Sequence, residues 1–223
     1  MPNKLEKFAE VESFPNCFFL AFGERENGLL HKGKWKTDFF KNENPILLEL
    51  GCGKGEYSVG LAEKNPHKNF IGVDVKGNRI WTGAKSSIEK NLSNVAFVRT
   101  RIEFIEGCFA ENEIDEIWLT FPDPQPQKTR VRKRLTHNLF LNRYNKFLKP
   151  GGLLHLKTDS TSLFEYSLEN IAAFGWEKLE STNDLYNNVP AGRDELVQIT
   201  THYEKLFTDK GEKIKYCLFK KPA

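Results

Sequence analysis

The stretch Ile46-Leu47-Leu48-Glu49-Leu50-Gly51-Cys52-Gly53-Lys54-Gly55 constrains the fold more than any other part of the chain. An apolar run ends beside an acid, and three glycines follow at alternate positions. The run reads as a buried parallel strand, the glycines as a tight turn, and the residues after them as the start of a helix. A helix beginning there aims its free N–H groups at whatever lies on the turn. Glycine lets that ligand approach the backbone closely.

Strand and helix patterns alternate downstream. Strands are expected at 70–74, 95–98, 115–120, 153–158, 177–180 and 213–220, and helices at 55–65, 76–91, 136–147, 161–173 and 196–208. A short helical piece is expected at 104–108, a break at Lys149-Pro150-Gly151-Gly152, and a Gly/Pro/Asn-rich loop at 187–194. This order predicts an α/β fold with a doubly wound, mainly parallel, seven-stranded sheet. Ligands of such sheets lie beyond the carboxyl ends of the strands. Those ends carry Glu49, Gly51, Asp74, residues 99–102, Asp123 and Asp159. A purely structural sheet has no need for so many acids there.

The chain has 223 residues, enough for one α/β domain at 44–223 with an N-terminal extension at 1–43. That extension is rich in aromatics (Phe14, Phe18, Phe19, Phe22, Trp35, Phe39, Phe40). Gly28 and Gly33 divide it, and its period is unclear. It reads as a segment packed on the domain. The net charge of +3 selects no partner. Four scattered cysteines without a C-x-x-C pair, and histidines without helical pairing, argue against a metal site and for a reducing, cytoplasmic setting. No apolar run approaches the ~20 residues of a membrane span.

The turn discriminates between ligands. A dinucleotide fingerprint spaces its glycines G-x-G-x-x-G. Here the spacing is G-x-G-x-G, and Glu56 takes the third dinucleotide position. Carboxylates beside the turn would repel a pyrophosphate and attract a cation. S-adenosylmethionine carries a sulfonium, an ammonium group and a ribose diol, and no phosphate. Glu49 beside its amino-acid and sulfonium portion, and Asp74 accepting from its ribose hydroxyls, suit that molecule on a turn made by Gly51, Gly53 and Gly55. An NAD-dependent oxidoreductase is disfavoured by the glycine spacing and by Glu49.

A second ligand is implied by charge. Between Pro124 and Thr158 there is no Asp or Glu, while Lys128, Arg130, Arg132, Lys133, Arg134, Arg143, Lys146, Lys149 and Lys157 are all basic. A charge run is ordinarily a solvated face. This one leaves a strand at the ligand edge, and the helix after it stays basic, so a polyanion approaching the methyl donor is the simpler reading.

The glycine turn with Glu49 and Asp74 resembles class I S-adenosylmethionine-dependent methyltransferases. Phe121-Pro122-Asp123-Pro124 with its basic run, His155-Leu156-Lys157-Thr158-Asp159, Leu163-Phe164-Glu165-Tyr166-Ser167-Leu168 and Thr201-His202-Tyr203-Glu204 narrow the resemblance to the bacterial tRNA (guanine-N7)-methyltransferase family, over roughly residues 44–220. The resemblance implies methyl transfer to N7 of a tRNA guanine, at position 46, by a monomer or homodimer. It implies that Asp123 is catalytic and also contacts the base. It further implies substrate binding by Asp159, Thr201, Glu204 and the basic residues Lys128 to Arg134. Read from the residues alone, Glu204 is an exposed helix charge and Asp159 could be a strand-end cap. The chain departs from the family at Gln125 and Gln127. Where many members carry an Asp near the adenine it has Arg101, so that contact is expected from the backbone of Arg101 and Ile102, or from Glu103. The competing readings are a methyltransferase with another nucleic-acid acceptor and a tRNA-binding module without catalysis.

Overall fold

The computed structural model describes residues 2–21, 23 and 28–223; Phe22, one of the N-terminal aromatics, lies outside them. The strands are β1 (Cys17–Phe19), β2 (Ile46–Leu50), β3 (Asn69–Asp74), β4 (Val95–Arg99), β5 (Ile114–Thr120), β6 (Leu148–Thr158), β7 (Glu177–Thr182) and β8 (Lys215–Lys220). The α-helices are α1 (Lys4–Val11), α2 (Glu56–Lys64), α3 (Gly77–Glu89), α4 (Asn138–Tyr144), α5 (Thr161–Ala173), α6 (Glu195–Gln198) and α7 (His202–Thr208). The strands form one sheet in the order β1-β4-β3-β2-β5-β6-β8-β7. β8 runs antiparallel to both its neighbours, and the other pairings are parallel.

Every residue of β2 is buried, as expected for a central strand covered on both faces. The pleat divides its side chains. Ile46, Leu48 and Leu50 join a core with Phe140, Leu141, Leu163 and Ile171, from α4 and α5. Leu47 joins the opposite core with Val59, Leu61, Ile80 and Leu196, from α2, α3 and α6. Trp118, His155 and Tyr216 lie on this second side. The His155 ring stacks on Trp118 at 3.8 Å, and its Nδ1 lies 2.9 Å from the Tyr216 hydroxyl.

The doubly wound sheet agrees with expectation, but among the described residues it has eight strands, not seven. The extra strand comes from the N-terminal segment: β1 pairs with β4 from Cys17↔Phe97 to Phe19↔Arg99. Its neighbour in sequence, the π-helical turn Trp35–Phe40, buries Trp35 completely, and the indole Nε1 donates to the Cys108 carbonyl at 3.0 Å. Two other boundaries differ. β6 begins at Leu148 and carries Pro150-Gly151-Gly152 as an irregularity opposite β5. The helix expected at 196–208 is split in two. Thr201 caps the second half, with its hydroxyl accepting from the Glu204 N–H, and a capping box stops the first helix from running on.

Candidate active site

The glycine turn closes against β3: the Gly51 and Cys52 N–H groups both donate to the Val73 carbonyl, at 2.8 and 3.0 Å. All three glycines have positive φ, at 79°, 56° and 72°. Their reasons differ. A Cβ on Gly51 or Gly53 would meet nothing within 4 Å, so these two face the open space a ligand would use. A Cβ on Gly55 would fall 2.6 Å from the Phe97 ring. Gly55 is therefore a packing glycine that lets α2 approach β4 and α3.

Glu49 lies beneath this turn, 4% exposed. Its carboxylate accepts the Ser58 N–H at 3.0 Å, the Ser58 hydroxyl and the Thr120 hydroxyl. It thus ties β2 to α2 and β5. Burial pushes its pKa up to about 7, and the hydroxyl bonds oppose that rise only in part. Asp74 at the end of β3 accepts the Gly53 N–H at 3.0 Å with one oxygen and the Lys76 N–H at 2.8 Å with the other. Each oxygen keeps a further lone pair for a hydroxyl donor. An open turn ringed by carboxylates fits a sulfonium donor with a ribose diol, and fits a pyrophosphate poorly.

At the end of β5 the chain makes a constrained loop. Phe121 and Gln125 both hold positive φ, at 49° and 45°. Asp123 between them is exposed and accepts the Gln125 N–H at 3.0 Å, leaving most of its carboxylate free. Arg134 holds the loop from behind. Its Nε donates to the Pro124 carbonyl at 3.1 Å, an Nη to the Gln125 carbonyl at 3.3 Å, and its guanidinium lies over the Tyr166 ring at 4.5 Å. It is 7% exposed. The sequence groups Arg134 with the RNA-facing basic run; the structure turns it inward. Asp159 at the end of β6 is half-buried, and burial raises its pKa.

The acid-free stretch does not stay acid-free in three dimensions. Arg143 and Lys146 both pair with Glu106, at 2.9 and 2.7 Å, and Lys149 pairs with Asp115. The basic stretch that supported a polyanion is thus partly neutralised by Glu106, shared by Arg143 and Lys146, and by Asp115. Lys128, Arg130, Arg132 and Lys133 remain exposed on a 3-10 turn (Lys128–Lys133), beside the Asp123 loop.

Glu204 is fully buried, not an exposed helix charge. It pairs with Lys157 at 2.7 Å and accepts the Tyr186 hydroxyl at 2.9 Å. Thr201, 8% exposed, faces it across the capping box. Arg101 is exposed and paired with Glu103 at 3.7 Å, while Ile102 opens a 3-10 turn just past β4. Sequence reasoning passed over Ser58, Thr120 and Tyr186, and took Lys157 as one more basic residue and as part of the His155–Asp159 resemblance, with no role of its own. A lysine inside the apolar run 153–158 was the available signal.

Known proteins resemble the chain in sequence and in fold. A family model described as "Putative methyltransferase" matches residues 43–217. A tRNA (guanine-N(7)-)-methyltransferase from Christiangramia forsetii is 49% identical over 219 residues, 98% of this chain and 97% of that protein. One from Bacteroides thetaiotaomicron is 49% identical over 221 residues, 99% of this chain and 86% of that protein. Among solved structures, the 16S rRNA methyltransferase KamB shares the fold with a TM-score of 0.64 at 12% identity, over 87% of this chain and 96% of that one. With half its residues shared with such relatives over nearly the whole length, and with the fold and acid-lined turn of a methyltransferase, the chain belongs to the tRNA (guanine-N(7)-)-methyltransferase family.

Proposed function

We propose that this chain transfers the methyl group of S-adenosylmethionine to N7 of a guanine in tRNA, at position 46 of the variable loop. What supports the reading is the meeting, at one sheet edge, of an open acid-lined turn (Gly51, Gly53, Asp74), an exposed Asp123 on a pinned loop, and the free basic residues Lys128 to Lys133. Residues 44–223 act as the catalytic unit, with 1–43 built onto it. The setting is the cytoplasm; no helix among the described residues is long and apolar enough to cross a membrane. Monomer and homodimer both suit the reading.

S-adenosylmethionine, when bound, supplies an electrophilic methyl carbon on a cationic sulfur. Asp74 receives its ribose hydroxyls, and buried Glu49 favours its positive end through the field beneath the turn. The backbone at Arg101 and Ile102, or Glu103, flanks the adenine. Guanine N7 has a free lone pair, so no side chain need remove a proton before attack. The protein's work is to orient the base and to stabilise the positive charge that grows on the ring. Asp123 does the second, held in place by Arg134, and Asp159 lies across the same edge. Lys128, Arg130, Arg132 and Lys133 hold phosphates. Thr201 borders the base, and Glu204 acts by fixing Thr201. The test is methylation of tRNA from cells lacking the endogenous enzyme, read by nucleoside analysis. Formation of 7-methylguanosine supports the proposal. A different methylated nucleoside, or donor-independent tRNA binding with no transfer, refutes it.

A further inference from the structure

We infer that Lys157 is a positioning residue whose buried ion pair with Glu204 latches α7 over the donor-binding edge. Lys157 is wholly buried on β6, two residues before Asp159. Its Nζ lies 2.7 Å from Glu204 Oε1, donates to the Leu196 carbonyl of α6, and stands 5.3 Å from the Tyr57 ring of α2. One cation therefore fastens both halves of the split helix. Its main chain does a second job: the Lys157 carbonyl accepts the Phe121 N–H at 2.8 Å, at the root of the Asp123 loop.

The segment so held spans the site. The His202 N–H donates to Glu56 at 2.8 Å, in the first turn after the glycines. Tyr203 receives the Arg79 guanidinium at 6.0 Å from its ring centroid, and Phe207 stacks on Phe121 at 6.2 Å. α7 thus touches the start of α2, the first turns of α3 and the Asp123 loop together. Both Glu204 oxygens are directed inward. Oε1 takes Lys157 and the Tyr186 hydroxyl, and Oε2 faces the Thr201 N–H at 3.4 Å. Glu204 therefore reaches the substrate through the placement of Thr201 to Tyr203, not by contact.

Stability alone is a poor reason for this pair. Desolvating two charges commonly costs as much as their attraction returns, and apolar residues of similar volume are often as stable. A buried lysine with a single carboxylate partner does fix one geometry, because any shift of α7 strands both charges.

The inference rests on the methyl-transfer reading, and the test separates the two. Wild-type protein that forms no 7-methylguanosine refutes that reading; active wild type with the results below isolates the latch. Lys157→Met alone leaves Glu204 buried without its cation and lowers the thermal midpoint. Lys157→Met with Glu204→Met removes both charges and is expected to regain the midpoint while kcat/KM for tRNA stays down about tenfold or more. Lys157→Arg, which keeps the charge, is expected to recover part of that loss. If the double variant regains wild-type midpoint and wild-type kcat/KM together, the pair is only structural and the inference is overturned. If it does not fold, Tyr186→Phe decides. That variant removes one hydrogen bond from Glu204 at a residue 42% exposed. A kcat/KM several-fold down at an unchanged midpoint supports the latch, and an unchanged kcat/KM overturns it.

Discussion

Glu49 carries two demands that pull against each other: it is buried for packing, and it lies where a cation should bind. Its folded pKa is about 7, against an ordinary 4.5. The native state therefore keeps its proton through that window, so its contribution to stability is complete below pH 4.5 and is lost as pH rises through about 7. Buried His155, whose pKa burial lowers, has the opposite dependence, so the Glu49 effect is read as a difference between proteins. The thermal midpoint of Glu49→Gln should gain on wild type from pH 5 to pH 8. A donor that favours the ionised form should also release a proton on binding near pH 6, measurable by calorimetry in buffers of different ionisation enthalpy. Asp123 is the contrasting carboxylate, exposed and on a rigid loop. Asp123→Ala should lower single-turnover methyl transfer by about 10²–10³-fold while donor affinity changes little. Both acids were visible in the sequence as strand-end carboxylates. Their environments were not, because the Ser58 and Thr120 hydroxyls reach Glu49 from other elements.

Elements explain why one basic run has two jobs. The 3-10 turn exposes Lys128, Arg130, Arg132 and Lys133 and returns Arg134 beneath the Asp123 loop. Arg130→Ala with Lys133→Ala should leave the thermal midpoint unchanged and lower the salt slope of tRNA binding by about 0.7–0.9 for each phosphate no longer neutralised. Arg134→Ala should cost about 2–4 kcal/mol of stability, since two carbonyls lose a charged donor and Tyr166 loses its cation. Charge counting could not separate these residues, since burial depends on where the turn points. The split of the 196–208 helix was legible in principle. Thr201-His202-Tyr203-Glu204 has the spacing of a capping box, the signature of a helix start. The same four residues carry the family resemblance, which implies substrate contact and not a helix boundary.

Across the molecule as a whole, the hydrophobic runs were enough to locate the central strands, because a parallel sheet buried on both faces leaves continuous apolar segments. The N-terminal segment gave no such signal. Its β1 is three residues long, and its packing depends on aromatics without a period, such as Trp35 set among Phe18, Phe40 and Phe109. Trp35→Ala should destabilise the protein by about 3–5 kcal/mol in denaturant titration. That result would mark this segment as core and not as appendage. The acids that neutralise Arg143, Lys146 and Lys149 were equally hidden, for they lie 34 to 40 residues away in the chain. The proposed chemistry depends on one atom, guanine N7, attacking without a base. Its sharpest test uses paired tRNA transcripts carrying guanine or 7-deazaguanine at position 46, incubated with the protein and isotopically labelled S-adenosylmethionine. Label is expected in the guanine transcript as 7-methylguanosine, with equal binding but no label in the 7-deaza transcript. Equal labelling of the two transcripts would show that N7 is not the acceptor.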